Sequence, residues 1–205
     1  MSCLLPVAVA VAVAAACGDN LEGDAPIDPS GAATFRGYAA VQEDLYAAFI
    51  APQTPFELHR YLGESGEALS RLVGRPDGFG VTYDARNARP NGMNVLIWRM
   101  LLSRFANDLA AKCAGSVIVD GVDPQIELHE RAHAVVDAMC TWPPASDATL
   151  REAWDLAIGY LAPVAARDAW IRLAHDPELA ALDRDRGLPS LWLAAFLHPS
   201  FLLEQ

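Results

Sequence analysis

Apolar residues recur at three- and four-residue steps through nearly all of residues 34–205, the period of a helix face and not of a strand. Phe35, Tyr38, Val41, Leu45, Ala48 and Phe49 open the pattern. Thr54-Pro55-Phe56-Glu57 reads as a capping box with proline at the first helical position. That segment is expected to run through Leu58, Tyr61, Leu62, Ala68, Leu69, Leu72 and Val73 to Gly74, with Gly63 and Gly66 bending or breaking it. Met93 to Lys112 carries the broadest stripe, through Met93, Leu96, Ile97, Met100, Leu101, Phe105 and Leu109, and reads as the central core helix. Asp123-Pro124 opens a further helix to about Thr141, which Trp142-Pro143-Pro144 ends. Ser146–Leu161, Pro163–Ala174, Pro177–Asp183 and Pro189–Leu197 follow, three of them with proline at or near the first turn. Ser116 to Val119 is the one strand-like run, and no second strand answers it. Short connections make successive helices antiparallel neighbours. The expected fold is therefore all-α, a single bundle of about seven helices.

Composition narrows the function classes. Hydrophobic residues make up 53% of the chain, enough for a substantial core, and the net charge is −11, with Lys112 and fourteen arginines as the cations. A nucleic-acid partner wants a basic face, and the sequence offers none. The run Arg75 to Gly92 has no periodicity and carries Asp77, Tyr83, Asp84, Arg86, Asn87 and Arg89, a set able to bind a polar ligand. The plainer reading is an Ω-loop packed by Phe79 and Tyr83.

Met1 to Ala16 is an almost unbroken apolar run ending in small residues before Cys17-Gly18-Asp19-Asn20. It is shorter than the roughly 20 residues a membrane-spanning helix needs and has the length of a signal-peptide core. Small residues before a cysteine, with a sharp change to polar sequence after it, resemble a bacterial lipoprotein processing site. Ala14 stands where that family usually has leucine, and residues 1–16 hold no Lys or Arg. The resemblance implies a signal peptide over residues 1–16 and acylation of Cys17, by palmitate or similar chains. Cys17 would become the first residue of a mature, extracytoplasmic protein held in the cell envelope by its lipid. Several acyl chains satisfy the two-signal requirement for stable anchoring. Gly18 to Gly31, with four acidic residues and no base, then reads as part of a flexible tether over residues 17–33. The helical domain would occupy residues 34–205. Of the four cysteines, Cys3 would leave with the signal and Cys17 would carry lipid. Cys113 and Cys140 remain, either as a disulfide in an oxidising compartment or as two buried thiols.

His129-Glu130-Arg131-Ala132-His133 matches H-E-x-x-H within a predicted helix. Residues i and i+4 share a helix face, so two imidazoles at this spacing can hold one zinc ion while the glutamate acts as general base. Eighteen residues separate His133 from Glu152, which resembles the arrangement of the gluzincin peptidases. The resemblance implies zinc held by His129, His133 and Glu152, Glu130 as catalytic base, and a peptide substrate. The competing reading makes these residues the flank of a helix whose core stripe is Leu128, Ala132, Val135 and Met139. His59, His175 and His198 are isolated and read as surface or capping groups, and the five tryptophans as core anchors.

Ala138-Met139-Cys140-Thr141-Trp142-Pro143, Ala169-Trp170 and the ending Leu193 to Leu203 resemble small uncharacterised bacterial lipoproteins. The ending also resembles helical domains of unknown function in large cytochrome-like surface proteins. That group implies a structural Cys140 and incidental histidines, with no cofactor. Two functions are thus expected to compete. One is a non-catalytic, lipid-anchored helical module for accessory or interaction roles, its protein partner unspecified. The other is a membrane-tethered zinc metallopeptidase.

Overall fold

A computed structural model of the chain describes residues 34–73, 92–117, 126–144, 146–159 and 161–204. Among them are nine helices: α1 (Tyr38–Phe49), α2 (Gly66–Arg71), α3 (Gly92–Ala111), α4 (Glu130–Met139), α5 (Asp147–Ala157), α6 (Val164–Ala174), α7 (Pro177–Ala180), α8 (Arg184–Phe196) and α9 (Pro199–Leu202). A 3-10 segment, Leu58–Ser65, precedes α2. The only paired strands among the described residues are two short pieces, β1 (Thr34–Phe35) and β2 (Leu203–Glu204), which run antiparallel with Thr34 opposite Glu204. The fold is all-α.

Helix α3 is the axis of the core. It packs most extensively on α8, with the 3-10 segment on another side. Its buried face is Ile97, Trp98, Leu101, Leu102, Phe105, Ala106 and Leu109. Met93 and Leu96, expected in the stripe, are 55% and 50% exposed. The stripe is rotated toward Trp98 and Leu102 because two sides of α3 are covered, so the first-turn apolar residues fall outside the contact. Phe105 sits among aromatic rings, at 5.6 Å from Phe49, 5.7 Å from Phe56 and 5.5 Å from Phe196. Phe49 also meets Trp192 edge-on at 5.7 Å. Edge-to-face pairs of this kind contribute about 0.5–1.5 kcal/mol each beyond the area they bury. A second cluster sets Trp154 against Trp170 at 5.6 Å and Trp170 against Trp192 at 6.3 Å, both pairs tilted, joining α5, α6 and α8. The buried Trp170 indole satisfies its N–H by donating to the Leu191 carbonyl at 2.8 Å.

Several helices begin elsewhere than the sequence suggests, each for a local reason. Phe35 is in β1 and not in the first helix, because the chain there pairs with residues 203–204. The segment after Thr54 turns helical only at Leu58. The Leu58 amide donates to Gln42 Oε1 at 3.0 Å and the His59 amide to the Tyr38 hydroxyl at 2.6 Å, so side chains of α1 take the capping role expected of Thr54. Gly63 does break this segment, at φ 62 and ψ −144, a conformation that glycine adopts without a Cβ clash. Helix α4 starts at Glu130, well after Asp123-Pro124, because Leu128 makes an antiparallel bridge with Ile50. Helix α5 begins as expected, with Ser146 Oγ accepting from the Thr149 amide at 3.2 Å. Helix α8 starts at Arg184 and carries Pro189 in its interior, not at its start. Ser116 and Val117 form no strand.

Candidate functional site

The HERAH residues divide between two backbone states. His129 is not in α4 but caps it, in extended conformation at φ −69 and ψ 161. Its Nδ1 accepts from the Ala132 amide at 3.1 Å, which satisfies one of the free donors at the helix start. Its Nε2 lies 2.8 Å from the Ala48 carbonyl, an acceptor only, so the proton sits on Nε2. Both ring nitrogens are therefore committed to backbone. His133, in the second turn of α4, faces outward with its side chain 63% exposed and Nδ1 3.1 Å from Asp137. Glu152 is exposed on α5. Among the described residues no three His, Cys, Asp or Glu side chains are placed to hold a metal ion. The expected set of His129, His133 and Glu152 is thus not brought together among the described residues, and Glu130 lies in the first turn of α4. The physical reason is the start of α4. A histidine at the N-cap points back along the chain to the amides, while one in the second turn points to solvent, so the i, i+4 face that zinc requires is absent.

Cys113 and Cys140 are brought together as a disulfide, with S–S 2.00 Å and Cα–Cα 5.4 Å. The bond joins the residues just past α3 to the end of α4. Around it the chain is tied a second time, to the start of α8. Arg184 donates from Nη1 to the Ala114 carbonyl at 3.1 Å and from Nη2 to Ser116 Oγ at 3.2 Å. Asp185 Oδ2 accepts from the Val117 amide at 3.2 Å. Gly115, at φ 74, makes the turn between these contacts. Trp142 closes the corner, its indole donating to the Leu182 carbonyl at 3.0 Å. A Cβ on Gly187 would stand 2.1 Å from the Trp142 ring, so α8 meets the indole only because residue 187 has no side chain.

Two further polar features stand out, a buried aspartate that the sequence reading misses and a histidine that it reads as a surface or capping group. Asp108 is fully buried on α3 and accepts from the Tyr61 hydroxyl at 2.7 Å. Its position three after Phe105 places it on the buried face, the one signal that was available. His198 caps the last helical turn, α9: its Nδ1 accepts from the Ser200 amide at 3.2 Å, and its ring meets Trp154 edge-on at 5.7 Å. Burial holds the His198 imidazole below the usual histidine range.

Cys17, with the whole of residues 1–33, and the polar run from 75 to 91 lie outside the described residues. No helix among the described residues is long and apolar enough to cross a membrane. Compared with known proteins, the chain matches no family, no curated sequence and no solved structure.

Proposed function

We propose that this chain is a lipid-anchored, extracytoplasmic bacterial lipoprotein whose helical domain is a non-catalytic accessory or interaction module. The observation that carries the reading is Cys17 itself, placed where a sixteen-residue apolar run gives way to acidic, glycine-rich sequence. The disulfide between Cys113 and Cys140 supports the compartment, since such bonds persist outside the reducing cytosol. Acidic sequence after Cys17 suits a tether that does not adhere to anionic lipid. The two backbone hydrogen bonds of the His129 ring weigh against the zinc-peptidase alternative.

The test is metabolic labelling. Expressed as the full chain in a bacterial host with radiolabelled palmitate, the protein incorporates label and partitions with membranes. Cys17→Ala abolishes incorporation and leaves a larger, unprocessed chain. Label retained in that variant, or none in the parent, rejects the proposal.

A further inference from the structure

The last seven residues described, 198–204, lie across the start of the helical domain. Arg36 is held there three ways. Its amide donates to the Leu202 carbonyl at 2.7 Å, its Nη1 donates to the Phe201 carbonyl at 3.1 Å, and its Nη2 pairs with Asp44 of α1 at 2.5 Å. Its guanidinium also lies 6.0 Å from the centre of the Phe201 ring. One step further out, Thr34 and Phe35 pair with Glu204 and Leu203. Phe201 and Leu202 are buried, and Phe201 packs on Phe196 at 5.8 Å. The whole arrangement depends on the chain reversing at His198, because α9 is a single turn whose first residues are Pro199 and Ser200.

That reversal is held by a histidine used as an acceptor. Ser200 N–H can only donate, so Nδ1 of His198 must carry a lone pair and the ring must be neutral. We propose that residues 198–204 form an acid-released clasp on the start of the helical domain, with His198 as its proton-sensitive latch. A proton taken from solvent onto Nδ1 sets N–H against N–H at the cap. The charged ring must then be hydrated, which draws it away from Trp154. Without the cap, the Pro199–Leu202 turn no longer holds the Phe201 and Leu202 carbonyls against Arg36. Burial of the ring makes protonation less favourable in the closed clasp than in the open one. The closed state therefore binds fewer protons, and its stability falls as pH drops below the ordinary histidine range.

Several charged groups on the surrounding elements are paired with one another. On α5, Asp147 takes His175 at 2.8 Å and Arg151 at 3.6 Å, and Asp155 takes Arg167 of α6 at 3.7 Å. Glu152 is exposed on α5, and Glu204 lies in β2. Arg184, Asp185 and Arg186 stand at the far end of α8, about 18 Å away at 1.5 Å rise per residue. The other titratable groups at the clasp are the Arg36–Asp44 pair that it covers and the carboxylate of Glu204 within it. The proposal stands without the lipid-anchor reading.

Hydrogen exchange of the full chain, followed by mass spectrometry, tests it. After correction for intrinsic exchange rates, protection of peptides covering 199–204 and 34–37 falls at least about threefold from pH 7.5 to pH 5, while peptides from α3 keep theirs. His198→Asn supplies a side-chain acceptor that does not titrate, so the clasp stays closed and the pH response disappears. His198→Ala lacks an acceptor and is open at both pH values. Equal protection at both pH values in the parent overturns the proposal. So does an acid response that persists in His198→Asn, which would place the sensor on a carboxylate, Asp44 or Glu204. Loss of protection in α3 alongside the clasp would mean global unfolding, and overturns it too.

Discussion

Breaking the Cys113–Cys140 bond is the perturbation whose size follows most directly from the structure. The two cysteines are 27 residues apart in sequence. Cross-linking across a loop of that length removes about 12 cal/mol/K of chain entropy from the unfolded state, or about 3.5 kcal/mol at 25 °C. For a domain of this size each kcal/mol moves the unfolding midpoint by about 2–4 °C, so loss of the bond lowers Tm by about 7–14 °C. The folded state changes little, because Arg184 and Asp185 tie residues 114–117 to α8 independently of the sulfurs. The variant to make is Cys113→Ala with Cys140→Ala, since Cys113 is buried and a serine would place a hydroxyl in the core. Urea unfolding is followed by tryptophan fluorescence for the parent, the parent under reductant and the double variant. The reduced parent and the double variant should agree with each other. Both should lie about 3.5 kcal/mol below the oxidised protein, with a steeper denaturant dependence as the unfolded chain expands. A difference below about 1 kcal/mol would refute the reasoning, since the cross-link would then not be acting on the unfolded ensemble as the loop length requires.

Gly187→Ala forces a methyl into the Trp142 ring and should cost about 1–3 kcal/mol in urea unfolding, with Trp142→Ala as a second change that removes most of the penalty. His129→Ala removes the cap on α4 and should cost about 0.5–2 kcal/mol, part of which His129→Asn recovers. Added zinc should leave the melting temperature of the parent unmoved, and a zinc-dependent rise that disappears in His129→Ala would contradict the capping role.

Most of the helices were legible because their signals are local. Ser146 as cap and Pro163 and Pro177 at the first turns mark α5, α6 and α7 within a residue or two, and the long apolar run of α3 could hardly be anything else. What escaped was set by partners distant in sequence. Nothing near Leu128 announces that it will bridge to Ile50, yet that bridge holds the backbone extended and turns a helical HExxH into a cap followed by a helix. Phe35 continues the apolar spacing of α1 but pairs with Leu203, a residue 168 positions later. The Thr54 capping box satisfies every local rule, yet the helical segment starts later, at Leu58, where Gln42 and Tyr38 of α1 cap the Leu58 and His59 amides. Pro189 reads as a start signal because proline favours the first turn, but α8 extends five residues before it. The HExxH residues divide between a cap and a helix for the same reason that these boundaries shift. The motif specifies residue types and spacing, while its chemistry requires that all five residues be helical.

On the proposed reading, Cys17 is the acylated first residue of an extracytoplasmic protein with an oxidised Cys113–Cys140 pair. The measurement that tests it most directly is the intact mass, without reductant, of the full chain purified from bacterial membranes, with sequencing of its N-terminal peptide. The account predicts a chain that begins at Cys17, is heavier than residues 17–205 by its acyl groups, and is lighter by two hydrogens for the disulfide. A chain that retains residues 1–16, or begins at an unmodified Cys17 with Cys113 and Cys140 reduced, would contradict it.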